Sequence, residues 1–136
     1  MRLSAMAQPG RRNRSNVCQI LVIDDDRAGA QLLIHLLRFA GRTGYMLENW
    51  QDPVTEIGRK RPDLVIMDVR LRVCDGLDLL RQLRTHPDAA IRGIPVLMTS
   101  AENVSVQCLG AGAAGFLEKP FDTESLFRAI QEICGG

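Results

Sequence analysis

The chain has 136 residues, enough for one compact domain with a real core and too few for a second catalytic or DNA-reading domain of ordinary size. Apolar residues make up 46% of it, but no unbroken run approaches the ~18 needed to span a bilayer, and no apolar segment of signal-peptide type follows the basic start. Net charge is +1, yet Arg2, Arg11, Arg12 and Arg14 all precede the first acid, Asp24; setting those four of the 17 basic residues aside leaves 13 against 16 acidic ones, an acidic globule with a basic arm.

Residues 1–16 include Pro9-Gly10 and lack apolar periodicity; they are expected to form a flexible arm, and residues 17–134 the folded domain. Four arginines without an aromatic or helix-turn-helix context read as a soluble tail, so no nucleic-acid or membrane partner is expected and the location is expected to be cytoplasmic. Val17 to Ile23 reads as a buried strand. Arg27 to Ala40 follows with Leu32, Leu33, Leu36, Leu37 and Phe39 at helical spacing, Asp26 as N-cap and Gly41 as stop. Gly44 to Leu47 is a weaker strand, Asp52-Pro53 opens a short helix to about Arg59, and Pro62 ends the basic turn after it. Next come strand Asp63 to Asp68, helix Leu77 to Arg84, a polar connection with Pro87, Gly93 and Pro95, and strand Ile94 to Thr99. Asn103 to Leu109 is a short helix, Gly110 to Gly115 a small-residue turn, Phe116 to Glu118 a strand and Thr123 to Cys134 a closing helix. This alternation predicts an α/β three-layer sandwich around a parallel sheet.

Right-handed crossovers would then bring the C-terminal ends of the strands to one edge, where Asp24, Asp25, Asp68, Thr99, Ser100 and Lys119 share a pocket. Clustered carboxylates repel one another unless a cation compensates, and Mg²⁺, which takes one or two carboxylates and keeps positions open for water or phosphate, suits them. An aspartate beside such an ion can act as nucleophile toward a phosphoryl group while a lysine neutralises the equatorial oxygens. Asp68, the lone acid ending a central strand, is the candidate nucleophile, with Lys119 as the second positive charge and Ser100 or Thr99 as hydroxyl donor. Each piece has a plainer reading: the Asp24-Asp25-Asp26 run as a helix-capping turn, Asp68 as a loop cap, Lys119-Pro120 as a strand exit. Cys18, Cys74, Cys108 and Cys134 form no C-x-x-C pair and read as isolated reduced thiols, while His35 and His86 read as structural or solvent-facing.

Leu-Val-Ile-Asp-Asp at 21 to 25, Asp68 with Asp75-Gly76-Leu77 downstream, Pro-Val-Leu-Met at 95 to 98 before Ser100-Ala101, Gly112-Ala113 and Lys119-Pro120-Phe121 together closely resemble the receiver domain of bacterial two-component response regulators, the family of the chemotaxis protein CheY. The resemblance runs from Val17 to about Cys134. It implies a flavodoxin-like, doubly wound five-stranded sheet of order 2-1-3-4-5, with Asp24 and Asp25 as the acidic pair holding Mg²⁺ and the Arg70 backbone carbonyl as a further ligand. Asp68 would accept phosphate from a histidine kinase or histidine phosphotransfer protein and Lys119 would contact the phosphoryl group. Ser100 and Phe116 would be the switch residues, and the Lys119-Pro120 bond would be cis. Output to a downstream protein target would pass through the face of the fourth helix, fifth strand and fifth helix; dimerisation on phosphorylation is left open.

Several departures bear on tuning. Leu71-Arg72 replaces the Met-Pro common after the phosphoacceptor, the segment from Ser100 to Phe116 is about one helical turn short, and Trp50 stands where relatives have a small residue, packing under the second helix. Arg70 and Glu102 face each other across the pocket mouth, and an ion pair between them would limit water access and tune the acyl-phosphate lifetime; a solvated pair of little consequence is the alternative. Two other functions compete with a phosphorylation switch that is not an enzyme in its own right. One is a pseudo-receiver binding module; the other is a haloacid-dehalogenase-like phosphatase with Asp24 as nucleophile and Asp26 as acid, which lacks Gly-Thr after Asp26 and any room for a cap domain.

Overall fold

The computed structural model describes residues 17–135, so the expected basic arm lies outside them. Strands β1 (Gln19–Ile23), β2 (Thr43–Met46), β3 (Leu64–Asp68), β4 (Val96–Ser100) and β5 (Gly115–Glu118) form one sheet in the order β2-β1-β3-β4-β5, with every neighbouring pair parallel. Helices α1 (Arg27–Phe39), α2 (Pro53–Lys60), α3 (Gly76–Arg84), α4 (Ser105–Gly110) and α5 (Thr123–Cys134) cover both faces. This is the expected doubly wound, three-layer α/β fold.

Alternation along β1 assigns helices to faces. Ile20 and Val22 join Ala30, Ile34 and Leu37 of α1 and Leu126 and Ile130 of α5. Leu21 and Ile23 point the other way, into a cluster with Ile57 of α2 and Leu79, Leu80 and Leu83 of α3. Both faces are therefore dry, as the near-continuous apolar reading of β1 and β3 requires.

Aspartates start four of these five helices. Asp26, Asp52, Asp75 and Asp122 each accept a backbone N–H of the first turn, and Pro53 occupies the first turn of α2. Gly41 closes α1 at φ 85°, with its N–H on the Arg38 carbonyl at 3.0 Å and the Arg42 N–H on the Leu37 carbonyl at 2.8 Å, the paired bonds of a Schellman stop. Glu56 of α2, with 0% exposure, accepts the N–H groups of Glu48 (3.1 Å) and Asn49 (2.5 Å) and pairs with Lys60 at 3.0 Å, fixing the β2–α2 connection. Trp50 packs, partly buried, against the cluster containing Ile57, as expected. His35 is exposed on α1, and His86 Nδ1 accepts the Asp88 N–H at 2.9 Å within a turn.

Some bounds differ from the sequence reading. The connection after α3 contains a one-turn helix, Ala89–Arg92, because Asp88 caps it through Ala90 N–H and Ile91 has a buried place to fill. β4 begins at Val96 and runs through Ser100, since Pro95 has no N–H for the ladder. α4 has only six residues, Ser105–Gly110. The thiols are not all isolated either: Cys18 and Cys134 have their Sγ atoms 2.9 Å apart. In a parallel sheet the helices run back against the strands, which sets the end of α5 beside the start of β1.

Candidate functional site

The C-terminal edge of the sheet assembles the expected groups. β1 ends at Ile23, and the chain turns at once: Asp24 Oδ1 accepts the Asp26 N–H at 2.9 Å, and Asp26 in turn caps α1. β3 ends at Asp68, which is in register with Thr99 of β4, and the Val69 N–H continues the ladder to the Thr99 carbonyl at 2.9 Å. The Lys119 N–H bonds the Ser100 carbonyl at 2.8 Å, and the following Lys119-Pro120 peptide is cis, as expected.

The Lys119 ammonium lies between two carboxylates, 3.1 Å from Asp24 Oδ2 and 3.2 Å from Asp68 Oδ2. Asp25 accepts the Arg72 N–H at 2.6 Å, tying the β3–α3 loop to the β1–α1 loop. The β3–α3 loop itself closes tightly: the Gly76 N–H bonds the Val69 carbonyl at 2.8 Å, Arg70 bridges Asp75, and a Cβ on Gly76 would lie 2.3 Å from the Asp68 carbonyl oxygen. Only glycine fits there.

Burial raises the Asp68 pKa above the usual carboxylate range; Lys119 opposes the shift and Asp24 adds to it. Burial pulls the Lys119 ammonium down, but hydrogen bonds and charge contacts with Asp24 and Asp68 outweigh it, and Lys119 is held charged more firmly than usual. Side-chain exposure of Asp68 is 13%, so most of the carboxylate is out of water. Against one ammonium, the three carboxylates Asp24, Asp25 and Asp68 leave two formal negative charges, and their donors are all hard oxygens. That set fits a divalent Mg²⁺. Among the described residues no group of three or more Asp, Glu, His or Cys side chains is arranged to hold a metal ion.

Other expected residues fall around this centre. Thr99 lines the same cavity as Asp24, Asp68 and Lys119, whereas Ser100, buried at 1%, turns its Oγ to accept the Glu102 N–H at 3.1 Å. Arg70 N–H bonds Asp68 Oδ1 at 3.3 Å, and its guanidinium pairs with Glu102 across the mouth, both side chains being more than half exposed. Phe116 is half-buried against the cluster on the α3 and α4 side. Asp26 is occupied as a helix cap, the plainer of the two roles weighed for it.

The sequence reading missed the apolar wall of the cavity, about 540 Å³, which Leu32, Leu33 and Leu36 of α1 and Phe121 supply beside the carboxylates. The Leu32-Leu33 doublet was its signal, because one leucine of such a pair falls outside the core stripe; Leu32 is 61% exposed. Arg72 was also missed, since its contribution is a backbone N–H that no side-chain pattern records.

A family model described as "Response regulator receiver domain" matches residues 20–131. The chain is 36% identical over 118 residues to the response regulator MprA of Mycolicibacterium vanbaalenii, covering 85% of this chain and 49% of that protein, and 35% identical to MprA of Mycobacterium leprae over the same length. The chain thus spans about half the length of these curated relatives. Among solved structures it is similar to the chemotaxis response regulator CheY4 of Vibrio cholerae, with a TM-score of 0.76 and 25% identity over 86% of this chain and 98% of that one. It is also similar to the receiver domain of a sensor histidine kinase from Pseudomonas aeruginosa, described with a magnesium ion coordinated in its active-site cleft, with a TM-score of 0.77 and 28% identity over 88% of this chain and 99% of that one.

Proposed function

The chain belongs to the response regulator receiver domain family, a signalling domain of two-component systems, and from that premise we propose that Asp68 is its phosphoacceptor. The observation that carries this reading is the Lys119 ammonium set between Asp24 and Asp68 at the end of three parallel strands. An oxygen of Asp68 attacks the phosphorus of a phosphohistidine on a histidine kinase or histidine phosphotransfer protein. The P–O bond forms as the P–N bond breaks, and the imidazole leaves with a proton from solvent.

Asp24, Asp25, Asp68 and the Arg70 backbone carbonyl would hold Mg²⁺, which when bound supplies positive charge for the equatorial oxygens of the transferring group. Lys119 moves from the Asp68 carboxylate to a phosphoryl oxygen, a short step because the ammonium already touches Asp68. Ser100 turns its hydroxyl to the phosphoryl group and releases the Glu102 N–H it now accepts, which links the switch to the Arg70–Glu102 pair at the mouth. Phe116 follows inward and reshapes the face of α4, β5 and α5, where Val106 (79% exposed) and Leu109 (53%) offer apolar groups to a protein target. The Arg70–Glu102 pair limits water access to the acyl phosphate and sets its lifetime.

The test is intact mass after incubation with Mg²⁺ and a small phosphodonor, for the unaltered chain and Asp68→Ala. A base-labile phosphate adduct present only with Asp68 supports the phosphoacceptor. No adduct on either protein would turn the assignment to a pseudo-receiver binding module.

A further inference from the structure

The edge of the sheet opposite the phosphoacceptor holds a second chemical feature. Cys18 immediately precedes β1 and Cys134 ends α5; they are 116 positions apart in the chain, with Sγ atoms 2.9 Å from each other. We propose that Cys18 and Cys134 form a thiol–disulfide clasp that, under oxidising conditions, fastens the foot of the sheet to the end of the last helix.

Both backbones are already held. The Cys18 carbonyl accepts the Thr43 N–H at 3.1 Å, and the adjoining Gln19 N–H bonds Asp63 Oδ2 at 2.8 Å. Cys134 sits in the last turn of α5, which Gly135 closes at φ 70° with its N–H on the Gln131 carbonyl at 2.7 Å. The sulfurs must approach by less than 1 Å from 2.9 Å to reach the ~2.05 Å of a disulfide. Both residues are half-buried and so open to a small reagent, whereas Cys108 is fully buried.

The step balances with a small-molecule disulfide such as oxidised glutathione. One cysteine thiolate attacks a sulfur of the reagent and displaces one thiolate, giving a mixed disulfide. The other cysteine thiolate then attacks the protein-side sulfur, and the Cys18–Cys134 bond forms as the second small thiolate leaves. The two protons lost by the protein thiols end on the two released thiols; the protein is oxidised by two electrons and the reagent reduced by two.

The hydrogen bond to Cys134, burial and the neighbouring Cys134 and Asp63 charges raise the Cys18 pKa, with Arg42 opposing. Clasp formation is accordingly slow at neutral pH and accelerates as pH rises. Asp24 and Asp68 lie at the other edge of the sheet, so the clasp does not depend on phosphoryl chemistry, and Asp68→Ala closes it equally.

The experiment treats the full chain with oxidised glutathione and reads intact mass and a non-reducing peptide map. The expected result is a loss of about 2 Da, a cross-linked peptide pair containing Cys18 and Cys134, reversal by dithiothreitol, and a higher urea midpoint for the oxidised than for the reduced form. Cys18→Ser and Cys134→Ser each keep a glutathione adduct and lose the midpoint shift, while a Cys74→Ser, Cys108→Ser double variant behaves like the unaltered chain. Failure to lose the two hydrogens, a link through Cys74 or Cys108, a covalent dimer, or a cross-link that leaves the urea midpoint unmoved would each overturn the clasp.

Discussion

Asp68 owes its position to a residue with no side chain. At Gly76 the chain doubles back so closely that any Cβ would lie 2.3 Å from the Asp68 carbonyl and 2.9 Å from Val69 Cα, both backbone atoms that cannot swing aside. Gly76→Ala is therefore expected to destabilise the fold by about 2 kcal/mol, within the range for forced overpacking, and to slow phosphorylation several-fold by shifting Asp68; urea denaturation and phosphate uptake check the two effects. At the mouth, Arg70→Ala removes the partner of Glu102 without touching the buried carboxylates. Autodephosphorylation is expected to quicken by about two- to fivefold, the scale an exposed ion pair commands; equal rates would leave that pair a solvated ornament of the surface. Sequence alone exposed Asp24, Asp25, Asp68 and Lys119 because each is a polar residue at or within two positions of the end of an apolar run. It could not expose Gly76's clash or Arg72's N–H on Asp25, since both are backbone contacts made only after the loops close.

Among the elements, α2 shows most plainly how a short helix is held. Its eight residues are too few to be stable alone, and Glu56 anchors it by accepting the N–H groups of Glu48 and Asn49 while pairing with Lys60. Burial by itself would raise the Glu56 pKa, but the N–H of Asn49, the Lys60 ammonium and the N–H of Glu48 outweigh it and hold the carboxyl below its usual 4.5. A depressed folded pKa makes the contribution complete above about 4.5, and it fades as pH falls through the lower folded value. Glu56→Gln, which sets an amide NH₂ against N–H donors, is expected to cost about 1.5–3 kcal/mol at pH 7 and to flatten the loss of stability below pH 4.5; urea titrations across that range read both. The sequence made α2 legible at its start, through Asp52-Pro53, but a glutamate near its middle looks like any solvent-facing residue until the β2–α2 turn folds over it. The one-turn helix Ala89–Arg92 escaped for a similar reason, its length being below what periodicity can register.

At the level of the whole molecule, the sheet gathers like charges at one edge, and the fold accepts that strain for the sake of a site. Mg²⁺ is expected to raise the thermal midpoint by a few degrees in the metal-free protein, and Asp25→Asn to lose most of that rise while keeping its fold, as followed by calorimetry with and without chelator. The strand order was readable because five apolar runs alternate with helices in a pattern that resembles one family; the meeting of Cys18 with Cys134 was not, since it depends on antiparallel packing of α5 against a parallel sheet rather than on any spacing.

That same meeting has a consequence for engineering. The foot of β1 and the tail of α5 lie side by side, so a short glycine-serine bridge between them would close the domain into a ring. A circular permutant reopened in the exposed turn around Pro87, outside the loops that carry Asp24, Asp68 and Lys119, is expected to fold and to take up phosphate on the proposed acceptor Asp68 like the parent.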